Sequence, residues 1–160
     1  MAEKTEREKA QRIVAENRKA SHDYFFLELF EAGIVLTGTE VKAIREGRIN
    51  LRDSYAQIDG GQVFIHGVHI SAYSHRGYAD HEPTRRRKLL LKNAEIRKLI
   101  GRTAEKGLTL VPVRLYFKNQ YVKVALALAK GKKAHDKRET IRRREVDRET
   151  RAAVKEQKRT

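Results

Sequence analysis

The sequence predicts a mainly β fold: a small antiparallel barrel with short flanking helices and a basic C-terminal tail. Three observations predict it. Six or seven short apolar runs alternate with turn residues, the mark of short strands. Only two short stretches show strong helical spacing, and no strand–helix–strand rhythm links them, which argues against a parallel sheet. After Lys130-Gly131 the strongly apolar side chains dwindle to Ile141, Val146 and Val154 while basic residues persist, so that segment cannot bury a core of its own.

Taken in order, residues 5–19 have the content of a frayed helix, with Ile13 and Val14 as its apolar part. Tyr24 to Phe30 reads YFFLELF and favours a strand. Glu31-Ala32-Gly33 reads as a turn, after which Ile34 to Leu36 restart a strand. Thr39 suits the N-cap of a helix over Glu40 to Glu46, with Gly47 as its stop. Tyr55 to Ile58 and Val63 to Ile65 flank Asp59-Gly60-Gly61, a hairpin signal, and Val68 to Tyr73 extends the pattern. Residues 74–84 read as an exposed loop ending near Pro83. Ala94 to Thr103 place Ile96, Leu99 and Ile100 on one helical stripe. A second hairpin joins Leu108–Phe117 to Tyr121–Ala129 through Lys118-Asn119-Gln120. Alternation in its last strand puts Val122, Val124, Leu126 and Leu128 inside, and Tyr121, Lys123, Ala125 and Ala127 outside. The expected organisation is a flexible extension over 1–14, a barrel over 15–129 and a tail over 130–160 that is disordered when free.

Charge narrows the function. The 160 residues carry 36 Lys and Arg against 21 Asp and Glu, a net charge of +15. Residues 84–129 hold twelve basic and two acidic groups, and 130–160 hold thirteen and six, whereas 21–83 are slightly acidic. Small barrels of this kind commonly bind oligonucleotides, and a basic excess points to a polyanion, nucleic acid first. With no Cys there is no disulfide frame, thiol nucleophile or iron–sulfur cluster, and an intracellular protein is expected. No run approaches a membrane span.

The densest cationic block of the folded part is Arg85-Arg86-Arg87-Lys88, read as phosphate-contacting because nothing acidic lies beside it in sequence. The six histidines show no metal-ligand spacing: His66 and His69 fall on opposite strand faces, and Asp80-His81-Glu82 has no second cluster nearby. No Gly-rich phosphate loop or nucleophile elbow is present. Tyr24, Tyr55, Tyr73, Tyr78, Tyr116 and Tyr121 are candidates for base stacking or for half-buried packing. In the tail Glu139/Arg143 and Asp147/Arg151 pair at helical spacing, while Arg138/Arg142 and Arg144/Arg148 repel. Such a helix is marginal in water and is stabilised where phosphates neutralise it.

Four strings carry a resemblance: Gly38-Thr39-Glu40-Val41-Lys42, Asp53-Ser54-Tyr55, Arg87-Lys88-Leu89-Leu90-Leu91 and Gly131-Lys132-Lys133-Ala134-His135-Asp136-Lys137-Arg138. From about Ala15 to Arg151 the chain resembles the small protein B family, the SsrA-binding proteins of bacteria. The resemblance implies an OB-like barrel and no enzymatic activity, cofactor or metal. It implies a cytoplasmic monomer that binds the tRNA-like domain of transfer-messenger RNA and takes it to stalled ribosomes for trans-translation. Elongation factor Tu and alanyl-tRNA synthetase are implied as indirect partners, and no membrane is. Asn17, Glu31, Leu91 and Lys123 match family positions tied to RNA binding, and Lys123 is also placed outside by strand phase. Gly131, Lys132, Lys133, His135, Asp136, Lys137 and Arg138 match the junction used in the ribosomal decoding centre, with His135 as the stacking residue. The expected tail surface continues through Ile141, Arg142, Arg143 and Arg144 into the empty message channel. A structural ribosomal protein with a basic tail is the alternative. An RNA-processing enzyme using His22, His69 or His81 and a nonspecific polyanion binder are further competitors.

Overall fold

The computed structural model describes residues 11–72, 81–105 and 107–158. Among them are nine strands: β1 (Gln11–Glu16), β2 (Tyr24–Ile34), β3 (Ile49–Asn50), β4 (Tyr55–Asp59), β5 (Gln62–His66), β6 (His69–Ile70), β7 (Arg87–Leu90), β8 (Leu108–Lys118) and β9 (Tyr121–Gly131). Four helices join them: α1 (Arg18–Asp23), α2 (Gly38–Arg45), α3 (Asn93–Thr103) and α4 (Ala134–Gln157). Tyr73, Tyr78, Asp80 and most of the predicted 74–84 loop lie outside the described residues, as does the extension before residue 11.

The sheet closes on itself. Its order is β1-β8-β4-β5-β7-β2-β9, and β8 and β9 also pair, so six strands form an antiparallel ring. The eleven-residue β8 can serve three neighbours. Its first half meets β4 at Ala56↔Leu110, its second half meets β1, and β9 runs along its other side. Closure leaves few free strand edges. The mainly β barrel with short helices and a basic C-terminal segment therefore stands. Inside it Val63, Ile65, Leu89, Leu110, Leu115, Val124, Leu126 and Leu128 are almost completely excluded from solvent. Each contributes roughly 1.5–3 kcal/mol by leaving water.

Four local expectations differ from the structure. Residues 11–16 are a strand, not part of a helix, because they take up hydrogen bonds along β8 while Val14 and Ala15 pack on the core. Helix follows at once in α1, where the Asn17 carboxamide oxygen accepts from Ala20 N at 3.1 Å. Glu31-Ala32-Gly33 is not a turn: β2 runs straight through it, paired to β9, with Ala32 fully buried. The cap of α2 is Thr37 rather than Thr39. Its backbone N–H donates to Glu40 Oε1 at 2.8 Å and its hydroxyl accepts from Glu40 N, a capping box.

The fourth concerns β9. Val122, Val124, Leu126 and Leu128 do face the core, but Ala125, Ala127 and Ala129 are buried as well. Ala20 of α1 packs with Ala127, Ala129 and Val111 on the outer face of the sheet, beside Tyr24, Phe26 and Val113. Alanines suit that position because a small side chain lets a helix approach the sheet. The β-structure also extends beyond 15–129. Among the described residues it runs from Gln11 to Gly131, which pairs with Tyr24.

Candidate nucleic-acid interface

The outer face of β7, β2, β9 and β8 brings two of the predicted residues together. Register aligns Leu90, Gly33, Lys123 and Tyr116 in one row across the four strands. Directly paired residues share a face, so the four lie on one side of the sheet, with Leu90 half-exposed, Lys123 partly exposed and Tyr116 buried. A Cβ on Gly33 would come within 3.3 Å of Leu90 Cβ, so the absence of a side chain there lets half-exposed Leu90 lie over the strand. The neighbouring row is Glu31, Ala125 and Arg114.

Glu31 anchors this face. It accepts from the Tyr116 hydroxyl at 2.7 Å and from Lys118 Nζ at 3.1 Å. The Tyr116 hydrogen bond, helped by Lys118 and Lys123 and opposed by burial, holds its carboxyl below the usual range. Burial and then the Glu31 hydrogen bond push the Tyr116 phenol up, so it stays a donor. Glu31 is thus an ionised acceptor, partly open to solvent, set among Lys118, Lys123 and Arg114. Such a surface offers cations to phosphates and a carboxylate to base N–H or ribose hydroxyl groups. Leu90, Arg114 and Lys118 on this face were not singled out from sequence, whereas Tyr116 was among the six tyrosine candidates; the pairing register of β8 and β7 was the missing signal.

Asn17 and Leu91 take indirect positions. Asn17 is buried, and its carboxamide NH2 donates to Leu51 O at 3.2 Å and Pro112 O at 3.0 Å while its oxygen caps α1. All its polar atoms are engaged, so it holds α1 on the barrel rather than reaching outward. Leu91 is half-buried against the core, and its neighbour Leu90 is the exposed residue.

Within the expected phosphate-contacting run Arg85-Arg86-Arg87-Lys88, the structure corrects the reading of Arg87 and ties Arg85 to a carboxylate. Arg87 is completely buried. Its guanidinium pairs with the buried Glu40 carboxylate and donates to Val68 O at 2.9 Å and Pro83 O at 3.1 Å. Arg85 donates to the other oxygen of Glu40 at 2.5 Å. Burial pushes the Glu40 carboxyl up, but hydrogen bonds from Arg85, the Thr37 backbone and Arg87 outweigh it and hold it below the usual range. Arg86 lies over the Phe64 ring at 4.1 Å and pairs with Asp59 at 3.2 Å. Lys88 is half-buried on β7 opposite Phe64. The acid that relieves the block is 45 residues away in sequence.

At the far end of β9 the chain enters the tail. From Lys123 to Gly131 the strand covers roughly 26 Å at ~3.3 Å per residue. Gly131 closes the sheet, and Lys132 N donates to Asp23 O at 2.8 Å. The Asp136 carboxylate accepts from Lys133 N at 3.4 Å and starts α4. His135 is 74% exposed and pairs with Asp136 at 2.9 Å. Of the remaining tail candidates, Lys133, Arg138, Ile141, Arg142, Arg143 and Arg144 lie on exposed positions and Lys137 is half-buried, and no residue of α4 is buried. Arg143 pairs with Glu139 within the helix at 2.9 Å.

Among the described residues no group of three His, Cys, Asp or Glu side chains could hold a metal ion. No helix among them is long and apolar enough to cross a membrane. His66 stacks on Tyr55, and His81 hydrogen-bonds to Thr39 Oγ1 and Ile70 O.

Comparison with known proteins gives one answer. The family model described as SmpB protein matches residues 14–156. The SsrA-binding protein of Syntrophobacter fumaroxidans is 59% identical over 138 residues, covering 86% of each chain. That of Carboxydothermus hydrogenoformans is 55% identical over 145 residues, covering 91% of this chain and 97% of the relative. A solved chain from the structure described as "tmRNA-SmpB: a journey to the center of the bacterial ribosome" is 47% identical. It superposes with a TM-score of 0.65 over 81% of this chain and 94% of that one.

Proposed function

The chain belongs to the SmpB family, and from that membership we propose that it binds transfer-messenger RNA and carries it to stalled ribosomes for trans-translation. The observation that carries this reading is the pairing of family membership with two physically separate cationic surfaces. One is the Glu31–Lys123 face, which binds the tRNA-like domain. The other is the exposed tail, whose Gly131–Arg138 junction enters the decoding centre with His135 stacking on a base. Ile141 and Arg142 to Arg144 then follow the empty message channel. Message still present downstream excludes the tail sterically, so the tail reports vacancy. The tail over 130–160, marginal as a helix in the free protein, is stabilised as one where ribosomal phosphates neutralise its repelling cations. The protein acts as a cytoplasmic monomer and binds RNA rather than transforming it. Elongation factor Tu and alanyl-tRNA synthetase meet it only through the RNA.

Two measurements test the reading. The pure protein should prefer the tRNA-like domain of transfer-messenger RNA over bulk tRNA at physiological salt. Equal affinity for both would reduce the interaction to charge. Truncation after Gly131, which keeps the whole sheet, should preserve that affinity and abolish peptide tagging in a reconstituted stalled translation system. Loss of tight RNA binding in the truncated chain would overturn the division of labour.

A further inference from the structure

The two oxygens of the Glu31 carboxylate have unlike partners. Oε2 accepts from the Tyr116 hydroxyl at 2.7 Å, and Tyr116 is buried. At Tyr116 the strand β8 is flanked on both sides, by Ile13 of β1 and Lys123 of β9, so the ring has little room to move. Oε1 accepts instead from Lys118 Nζ at 3.1 Å, which also reaches Oε2 at 3.4 Å. Lys118 is the last residue of β8, and its side chain is 43% exposed against 39% for Glu31. An exposed pair of this kind is weak, and an ammonium on a four-carbon stem can leave it without disturbing the sheet. The phenol is thus a fixed partner and the ammonium an exchangeable one. Beside them, Leu29, Glu31, Arg114, Tyr116 and Ala125 line a recess of about 250 Å³. It is open because Ala125 puts only a methyl group between Glu31 and Arg114 in their paired row.

We infer that Tyr116 and Lys118 make Glu31 a selective acceptor for RNA: Tyr116 is the positioning residue that holds one carboxylate oxygen, and Lys118 covers the other until a phosphate draws it away. The inference rests on the reading that this face binds the tRNA-like domain. A phosphate that takes Lys118 uncovers Oε1, and a bare carboxylate among phosphates is repelled. Only an RNA that sets a base N–H or a ribose hydroxyl at Oε1 replaces the lost hydrogen bond. An RNA that offers phosphates alone either leaves Lys118 on Glu31 and forgoes that contact, or exposes the acid. Glu31 therefore acts against binding by charge alone, which Lys123 and Arg114 without it would allow. Tyr116 is essential to this because a carboxylate free to rotate would follow Lys118 rather than wait for a donor at a fixed place.

Tyr116→Phe removes the hydroxyl and keeps the ring. In the full chain without RNA, the Glu31 carboxyl carbon followed by NMR should titrate below the ordinary glutamate range. Tyr116→Phe should raise its midpoint, because the donor that favours the ionised form is gone. The same variant should lower the preference for the tRNA-like domain over bulk tRNA by about fivefold, whereas in a Glu31→Ala background it should change the preference by less than about twofold. Lys118→Ala should lower the salt slope of the tRNA-like domain by about one and yet raise the preference, since uncovered Glu31 repels the phosphates of bulk tRNA. Deoxy substitution of the unpaired nucleotides of the tRNA-like domain names the donor. An effect of Glu31→Ala that persists assigns a base N–H, and one that disappears assigns a ribose hydroxyl. A Glu31 midpoint unmoved by Tyr116→Phe, an equal loss of preference in the Glu31→Ala background, or a preference that falls in Lys118→Ala overturns the inference. Should Tyr116→Phe fail to fold, Lys118→Ala decides alone. An unaltered chain with no preference would instead overturn the transfer-messenger RNA reading and leave the Glu31 titration standing, so the two failures are separable.

Discussion

Removing the Arg87 side chain should damage this protein far more than removing that of Arg86, its neighbour in the same basic run. Arg87 and Glu40 are both completely excluded from solvent and pair directly. Arg87→Ala leaves the Glu40 carboxylate buried with Arg85 as its remaining charged partner and leaves the Val68 carbonyl without its donor, while the Pro83 carbonyl keeps only Ile70 N. Breaking a buried pair from one side costs about 3–5 kcal/mol. In a chain of this length each kcal/mol shifts the melting temperature by about 2–4 °C, so a fall of roughly 6–20 °C is expected. Arg86 is about half exposed and pairs with the exposed Asp59, so Arg86→Ala should cost under about 1 kcal/mol, including its loss of contact with Phe64. Thermal and urea unfolding followed by far-ultraviolet circular dichroism distinguishes the two variants. Similar small shifts for both would refute the assignment of Arg87 to the core. The same network predicts a pH response. The Glu40 carboxyl is held below its unfolded value, so its contribution is complete above that value, near 4.5, and is lost as pH falls through the lower folded one. Acid sensitivity below about pH 4.5 should therefore shrink in a Glu40→Gln, Arg87→Met double variant.

Further outcomes follow from the same geometry. Lys123→Ala should weaken binding to the tRNA-like domain and reduce the slope of log affinity against log salt by about one, with an unchanged melting temperature. An unchanged slope would remove Lys123 from phosphate contact. Gly67 has φ +78° and its added Cβ would sit 3.0 Å from Asp53 O, whereas Gly60, φ +58°, faces open space. Gly67→Ala should thus be the worse of the two, since Gly60→Ala carries only the left-handed backbone cost of roughly 1–2 kcal/mol; equal unfolding midpoints would contradict the crowding at Asp53.

The barrel was legible because its strands alternate and its turns carry the residues that turns require. The Asp59-Gly60-Gly61 hairpin and the Asn119 turn stand where the pattern put them, with Gly60, Gly61 and Asn119 all at positive φ. Lys123 was legible for the same reason: period two fixes which face a strand residue takes. What failed depended on contacts distant in sequence. Residues 11–16 are a strand only because β8 is long enough to accept them, and Glu31-Ala32-Gly33 extends β2 only because β9 continues beside it. Ala127 and Ala129 of β9 are buried because α1 lies across them.

The arginine run shows the limit most sharply, and it also sharpens the functional reading. Sequence gives the sign and density of charge but not where each charge finds its partner. Of the four cations at 85–88, two converge on Glu40, a third pairs with Asp59, and Lys88 is half-buried, so the block fastens α2 and the chain before β7 to the barrel. The basic excess of residues 84–129 is therefore less available to RNA than its count suggests. On the proposed function, specific recognition then falls to a smaller set of groups around Glu31 and Lys123, each fixed by sheet register rather than by local density. A face of that kind reads shape and hydrogen-bond pattern as well as charge. This is why preference between two RNAs, rather than affinity for either one, measures whether the barrel recognises its partner.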